Sequence, residues 1–219
     1  MGASGIQVGV ALTQDEQAER RVLDAARDAF AEAQRRAPGL ILCRAGCDSC
    51  CRKRPFSITQ ADAARLRAGM RQLESASAIA IRERAAEYAA RIERDFPGEW
   101  NTGALTDNTE WRDWFYGRHE GLACPALSPE TGACLIHEHR PVCCRLYGPL
   151  IQIGEEVSGP CPLNYEGLTA DEIQRRAVRI DMPELASPGE GEPETMIVFA
   201  LLANGEEVPR TRPRPGNLL

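Results

Sequence analysis

A mainly α protein, a small helical domain with cysteine-rich metal-binding loops and one short β-hairpin, is what the sequence predicts. Three features lead there. Capping motifs precede runs of apolar residues at helical spacing, as at Thr13-Gln14-Asp15-Glu16 and Thr59-Gln60-Ala61-Asp62. The nine cysteines gather in two segments punctuated by Gly and Pro, 43–51 and 124–161. No strand–helix alternation of the βα type is visible between them.

Composition narrows the function classes. Hydrophobic content of 43% suffices for a real core, so the cysteines are not needed merely to staple a mini-protein. A net charge of −6 with no Lys/Arg-rich block argues against a nucleic-acid partner. The longest apolar run, Met196 to Ala203, is far below the ~20 residues that span a bilayer, so no membrane partner is expected. Met1 to Leu12 has an apolar stretch with neither a preceding base nor a small-residue cleavage site, and Ile6 breaks the myristoylation motif. A cytoplasmic protein follows as the expectation. In a reducing compartment clustered thiols hold metal more often than they form disulfides.

The chain divides into an N-terminal helix (1–39), a cysteine-cluster metal-binding domain with a helical scaffold (40–186), and a linker, short apolar segment and mobile tail (187–219). Behind Thr13, residues Val22, Leu23, Ala26, Ala29, Phe30 and Ala33 mark the first helix, which Pro38-Gly39 ends. Pro55 to Ile58 suits an extended piece. Thr59 then opens a helix carrying Ala63, Leu66, Met70 and Leu73. A third helix is predicted from about Ser77 to Phe96, stopped by Pro97-Gly98. Residues 99–107 read as a loop. A short helix follows, whose Trp111, Trp114 and Phe115 predict a packed aromatic corner beside the cysteines. Residues 150–158 suit a small hairpin around Gly154. Thr169 caps a helix predicted to run to about Ile180, Ser187 to Pro193 reads as a linker, and Thr195 to Ala203 reads as a last short helix closed by Asn204-Gly205.

The chemistry lies in the thiols. Cys43, Cys47, Cys50 and Cys51 form C-x3-C-x2-C-C, and Gly46 eases the turn that lets two sulfurs converge. Cys124, Cys134, Cys144 and Cys161 supply further ligands from loops that fold back on the first cluster. Thiolates are soft donors suited to zinc, to iron in Fe–S clusters or to Cu(I). Four of them around zinc or a [4Fe–4S] core leave net negative charge, which Arg140 and Arg145 can offset while donating to sulfur; an ordinary surface ion pair is the competing reading. Cys134-x2-His137 has ligand spacing, with packing or a hydrogen bond as the favoured role for His137. Cys143 is either a redox thiol or a small buried hydrophobe.

Cys47-x2-Cys50-Cys51 and the stretch Cys134-Leu135-Ile136-His137-Glu138-His139-Arg140-Pro141-Val142-Cys143-Cys144-Arg145 resemble the YkgJ-like cysteine-cluster family over roughly residues 40–165. The second segment of that family reads C-x-I-Y-x-x-R-P-x-x-C-R, and Cys134, Ile136, Arg140, Pro141, Cys144 and Arg145 match it, with Cys161 also having a counterpart. Cys43 stands one residue further from Cys47 than the pattern has it, His137 replaces Tyr, and Cys143 is extra. The resemblance implies a zinc- or iron-chelating domain, with a mononuclear ion or a [4Fe–4S] cluster as cofactor. A similar cysteine-rich segment in flagellin lysine methylases implies the alternative, an Fe–S-dependent enzyme or accessory factor. A third reading makes the metal a structural staple that lets the helical face bind a protein partner.

Overall fold

The computed structural model describes residues 12–53, 55–181, 185 and 191–203. The chain is mainly α, with a few short strands. Helix α1 (Gln14–Arg36) begins where expected, because Thr13 and Glu16 close a full capping box, and it buries Val22, Ala26, Ala29 and Ala33. Those alanines let other backbones approach closely, and Arg36 donates to the Ala177 carbonyl at 2.6 Å.

A single 3₁₀ turn, Cys50–Arg52, lies inside the first cysteine cluster. Strand β1 (Ser57–Ile58) leads to α2 (Gln60–Gln72), whose Thr59 hydroxyl accepts from the Asp62 amide. Helix α3 (Ser75–Ile92) follows, one turn shorter than its apolar pattern suggests, with Phe96 beyond it still buried. The expected loop at 99–107 holds a minimal antiparallel pair, β2 (Gly98–Glu99) and β3 (Ala104–Leu105), with Leu105 turned into the core. Asn108 caps α4 (Thr109–Arg118). After a 3₁₀ turn at His137–His139 comes α5 (Val142–Leu146).

The hairpin at 150–158 is present as β4 (Ile151–Ile153) and β5 (Glu156–Ser158). The helix capped by Thr169 is much shorter than predicted. Helix α6 covers only Ala170–Gln174, and residues 178–180 form β6 (Val178–Ile180), parallel to β4. Val178 and Ile180 are buried with Arg179 exposed between them, a period-two pattern that strand pairing satisfies and a helix does not. The last apolar segment begins as β7 (Thr195–Met196), antiparallel to β1, before turning into α7 (Ile197–Leu202). The predicted Asn204-Gly205 stop, the tail, residues 1–11 and most of the predicted linker lie outside the described residues.

Two hydrophobic cores result. The larger is built from α2, α3, α4 and α7, and every residue of α7 is buried in it, as an all-round apolar helix requires. Phe96, Trp100 and Phe199 form its aromatic centre, with ring centroids 4.9 to 5.5 Å apart. The aromatic corner expected at α4 is only partly there. Phe115 is fully buried, whereas Trp111 and Trp114 are 42% and 52% exposed, because no element among the described residues lies over that face of this short helix. The smaller core joins α1, the end of α5, β4, β6 and Tyr165. Cys124, Cys134, Cys143 and Cys144 pack on the larger core, and Cys43 on the smaller. The cysteine-rich region therefore fills the seam between the two.

Candidate metal centre

The first cluster is shaped by its backbone. Gly46 takes φ +80°, a left-handed conformation that favours glycine, beside a turn closed by the Cys47 amide on the Arg44 carbonyl at 3.0 Å. The 3₁₀ turn puts Cys50 and Cys51 side by side with sulfurs 4.0 Å apart, and an Asp48–Arg52 ion pair of 2.5 Å spans it. The Cys124 amide donates to the Cys51 carbonyl at 2.7 Å, and the Gly121 amide to the Lys53 carbonyl at 2.8 Å. The first cysteine cluster and the start of the second are thus joined backbone to backbone.

The second set is placed by three local devices. Leu127 and Cys134 form a β-bridge that turns Cys134 inward. Asp62, buried in α2, accepts from the Val142 amide at 3.1 Å and from Arg65, fixing the start of α5 and with it Cys143 and Cys144. The Cys161 amide donates to the Gly148 carbonyl at 2.9 Å, which sets the buried Cys161 thiol within 3.7 Å of the Ser49 hydroxyl. Asn164, which sequence reading passed over, ties this end to the first cluster. Its Oδ1 accepts from the Leu42 amide at 2.9 Å, and its Nδ2 donates to the Gly148 carbonyl at 2.7 Å and to the Cys43 sulfur at 3.6 Å.

All nine thiols are free. A hydrogen bond from Cys51 lowers the Cys50 thiol to about 6, while Cys51, donating to Cys50 and buried, is pushed up. Burial, with Cys144 nearby, raises Cys124 to about 12, and burial also raises Cys134 and Cys43. Cys144 is raised by its hydrogen bond with Cys143 and by burial. A region that holds this many thiols against their ionisation is one that a cation would relieve.

Cys43, Cys47, Cys50 and Cys144 line one half-open cavity of about 280 Å³, together with Arg140, Arg145, His137 and Tyr147. Arg27 and Phe30 of α1 close its far side. Arg140 Nε and Tyr147 Oη are buried without a hydrogen-bond partner among the described residues. Arg145 instead donates to the Arg140 and Glu138 carbonyls, so it braces the loop that presents Cys144, and burial beside Arg140 lowers its pKa. His137 also faces this cavity and lies 3.1 Å from Glu138. His139 sits against Gly69 and meets Gln72 at 3.2 Å, while His119 contacts Asp95 at 3.3 Å. Cys143 turns toward the Ser57 carbonyl at 3.7 Å.

No three Cys, His, Asp or Glu side chains among the described residues already stand in metal-holding geometry, so closure on an ion requires the sulfurs to be drawn together. The donor set nevertheless suits zinc or iron: soft thiols from several loops, with two orphaned donors facing a cavity where negative charge would develop.

Fold and site together define a cysteine-rich domain in a mainly α scaffold. A family model with the CxxCxxCC signature, described as a "putative zinc- or iron-chelating domain", matches residues 42–162. That is more than half of the 219 residues, and the chain belongs to this family. The match starts one residue before Cys43 and ends one after Cys161; α1 and α7 lie outside it. No curated protein and no solved structure matches the chain. No helix among the described residues is long and apolar enough to cross a membrane.

Proposed function

We propose that this protein chelates zinc or iron through thiolates contributed jointly by residues 43–51 and 124–161, with residues 40–186 as the metal-binding unit. The observation that carries this reading is the seam itself. Cys43, Cys47, Cys50 and Cys144, drawn from both segments, line one cavity there, and Arg140 Nε and Tyr147 Oη are buried beside them without partners among the described residues. Thiolate coordination would give those donors acceptors and relieve the burial of the thiols.

A second reading, an Fe–S-dependent enzyme or accessory factor, is favoured by one feature. The cavity of about 280 Å³ is half-open and has Arg27, Arg44 and His137 on its walls, so a small molecule could reach the centre.

Metal analysis of anaerobically purified protein, alongside its visible absorbance, tests both. Stoichiometric zinc without colour supports chelation of zinc, and brown absorbance in the Fe–S charge-transfer region supports a cluster. Substituting Cys47, Cys50, Cys134 and Cys144 singly by Ala should lower metal content in each case. Undiminished metal in all four variants would remove the proposal.

A further inference from the structure

Eight thiols in one seam can serve one centre with four to spare, or two centres. We infer that the chain builds two neighbouring four-thiol centres, Cys43, Cys47, Cys50 and Cys161 in one and Cys51, Cys124, Cys134 and Cys144 in the other, with the dipeptide Cys50-Cys51 dividing them. This rests on the chelating reading above and goes beyond it in number and ligand assignment.

Three independent placements separate the sets. Cys43 packs on the smaller core, while Cys124, Cys134 and Cys144 pack on the larger, so the sulfurs approach from opposite sides of the seam. Two further cavities divide in the same way. Cys43, Cys47 and Cys161 share one with Ser49 and Asn164, whereas Cys124 opens away from it, toward Tyr88 and Pro125. Backbone contacts agree: Cys161 is tied to Gly148, against which Cys43 lies, and Cys124 is bonded to Cys51.

Cys50 and Cys51 complete the sets. Cys50 lines the cavity that Cys43 and Cys47 line, while the Cys51 carbonyl accepts from the Cys124 amide. Cys144 also reaches that cavity, which sets it at the boundary between the centres. Adjacent residues whose sulfurs are 4.0 Å apart can supply two ions side by side, each with a four-coordinate thiolate shell. Cys143, aimed at the Ser57 carbonyl, belongs to neither set.

The test uses Co(II) as probe on the full chain, stripped of metal under reducing conditions, with thiolate-to-metal charge-transfer absorbance read against added equivalents. Two equivalents are expected for the unmodified chain, one for C161S, one for C134S, and two for C143S. Alkylation of the unmodified chain at substoichiometric loading, with protected cysteines mapped by mass, needs no variant to fold. Protection should fall within one set of four at a time. Saturation at one equivalent, loss of both equivalents in C161S or C134S, or protection mixed across the sets would overturn the two-centre assignment while leaving chelation standing. No Co(II) binding, and no metal in the purified protein, would remove the chelating reading itself.

Discussion

Gly148 and Cys43 occupy interlocking space: a Cβ on residue 148 would lie 2.6 Å from the Cys43 sulfur, and Gly148 has φ +126°. Any side chain here must displace the thiol or strain the backbone, at roughly 1–3 kcal/mol for the strain alone. Gly148→Ala is therefore expected to lower both metal content and the denaturant midpoint. Unchanged values for both would show that Cys43 is not held where the site needs it.

Asn164 is only 7% exposed and bridges the Leu42 amide, the Gly148 carbonyl and Cys43. Asn164→Ala leaves a buried amide and a buried carbonyl without this partner, each worth about 1–3 kcal/mol. The variant should unfold at lower denaturant even when stripped of metal. A loss seen only in the metal-loaded protein would instead make Asn164 a ligand-side residue alone.

The buried Asp62–Arg65 pair governs how α5 is presented. Arg65 also meets Glu19 of α1 at 2.8 Å, and both members of the pair are almost wholly buried. Asp62→Ala removes the acceptor of the Val142 amide and one of the two carboxylate partners of Arg65, with an expected loss of about 1–3 kcal/mol. Burial raises the Asp62 carboxyl above its ordinary value of 3.8, with Arg65 opposing that rise. The folded chain thus binds this proton more tightly than the unfolded one. Wild type should lose stability relative to Asp62→Asn as pH rises from 3.8 through the raised value, measurable by denaturant titration across that window. A gain in wild-type stability relative to Asp62→Asn as pH rises would reverse the assignment.

His137 and His139 have protein partners, Glu138 and Gln72. His137→Ala and His139→Ala should keep full metal content in elemental analysis. Gly69→Ala, whose Cβ would fall 2.7 Å from His139, should perturb the loop that carries Arg140 and Pro141. Loss of a metal equivalent in His137→Ala would place imidazole in the ligand set.

Much of this was legible because it is local. The capping boxes at Thr13 and Thr169 and the cap at Thr59 are written in consecutive residues, and all three form. The hairpin at Gly154 is equally local. What failed needed a distant partner. Val178 and Ile180 leave helical geometry because β4 offers a parallel edge some 25 residues earlier in the chain. Trp111 and Trp114 stay exposed because none of the described residues covers that face of α4. At the site, cysteine spacing marked the candidate donors, but Asn164, Tyr147 and Gly148 carry no motif. They matter through contacts that only the closed seam creates.

The central claim is that bound metal joins residues 43–51 to 124–161. The thermal unfolding midpoint of the purified protein, measured before and after complete metal removal by a chelator under reducing conditions, tests it most directly. A fall on the order of 10 °C is predicted, since losing several kcal/mol of binding energy lowers the midpoint by about 2–4 °C per kcal/mol in a chain of this size. An unchanged midpoint after verified loss of metal would contradict the account.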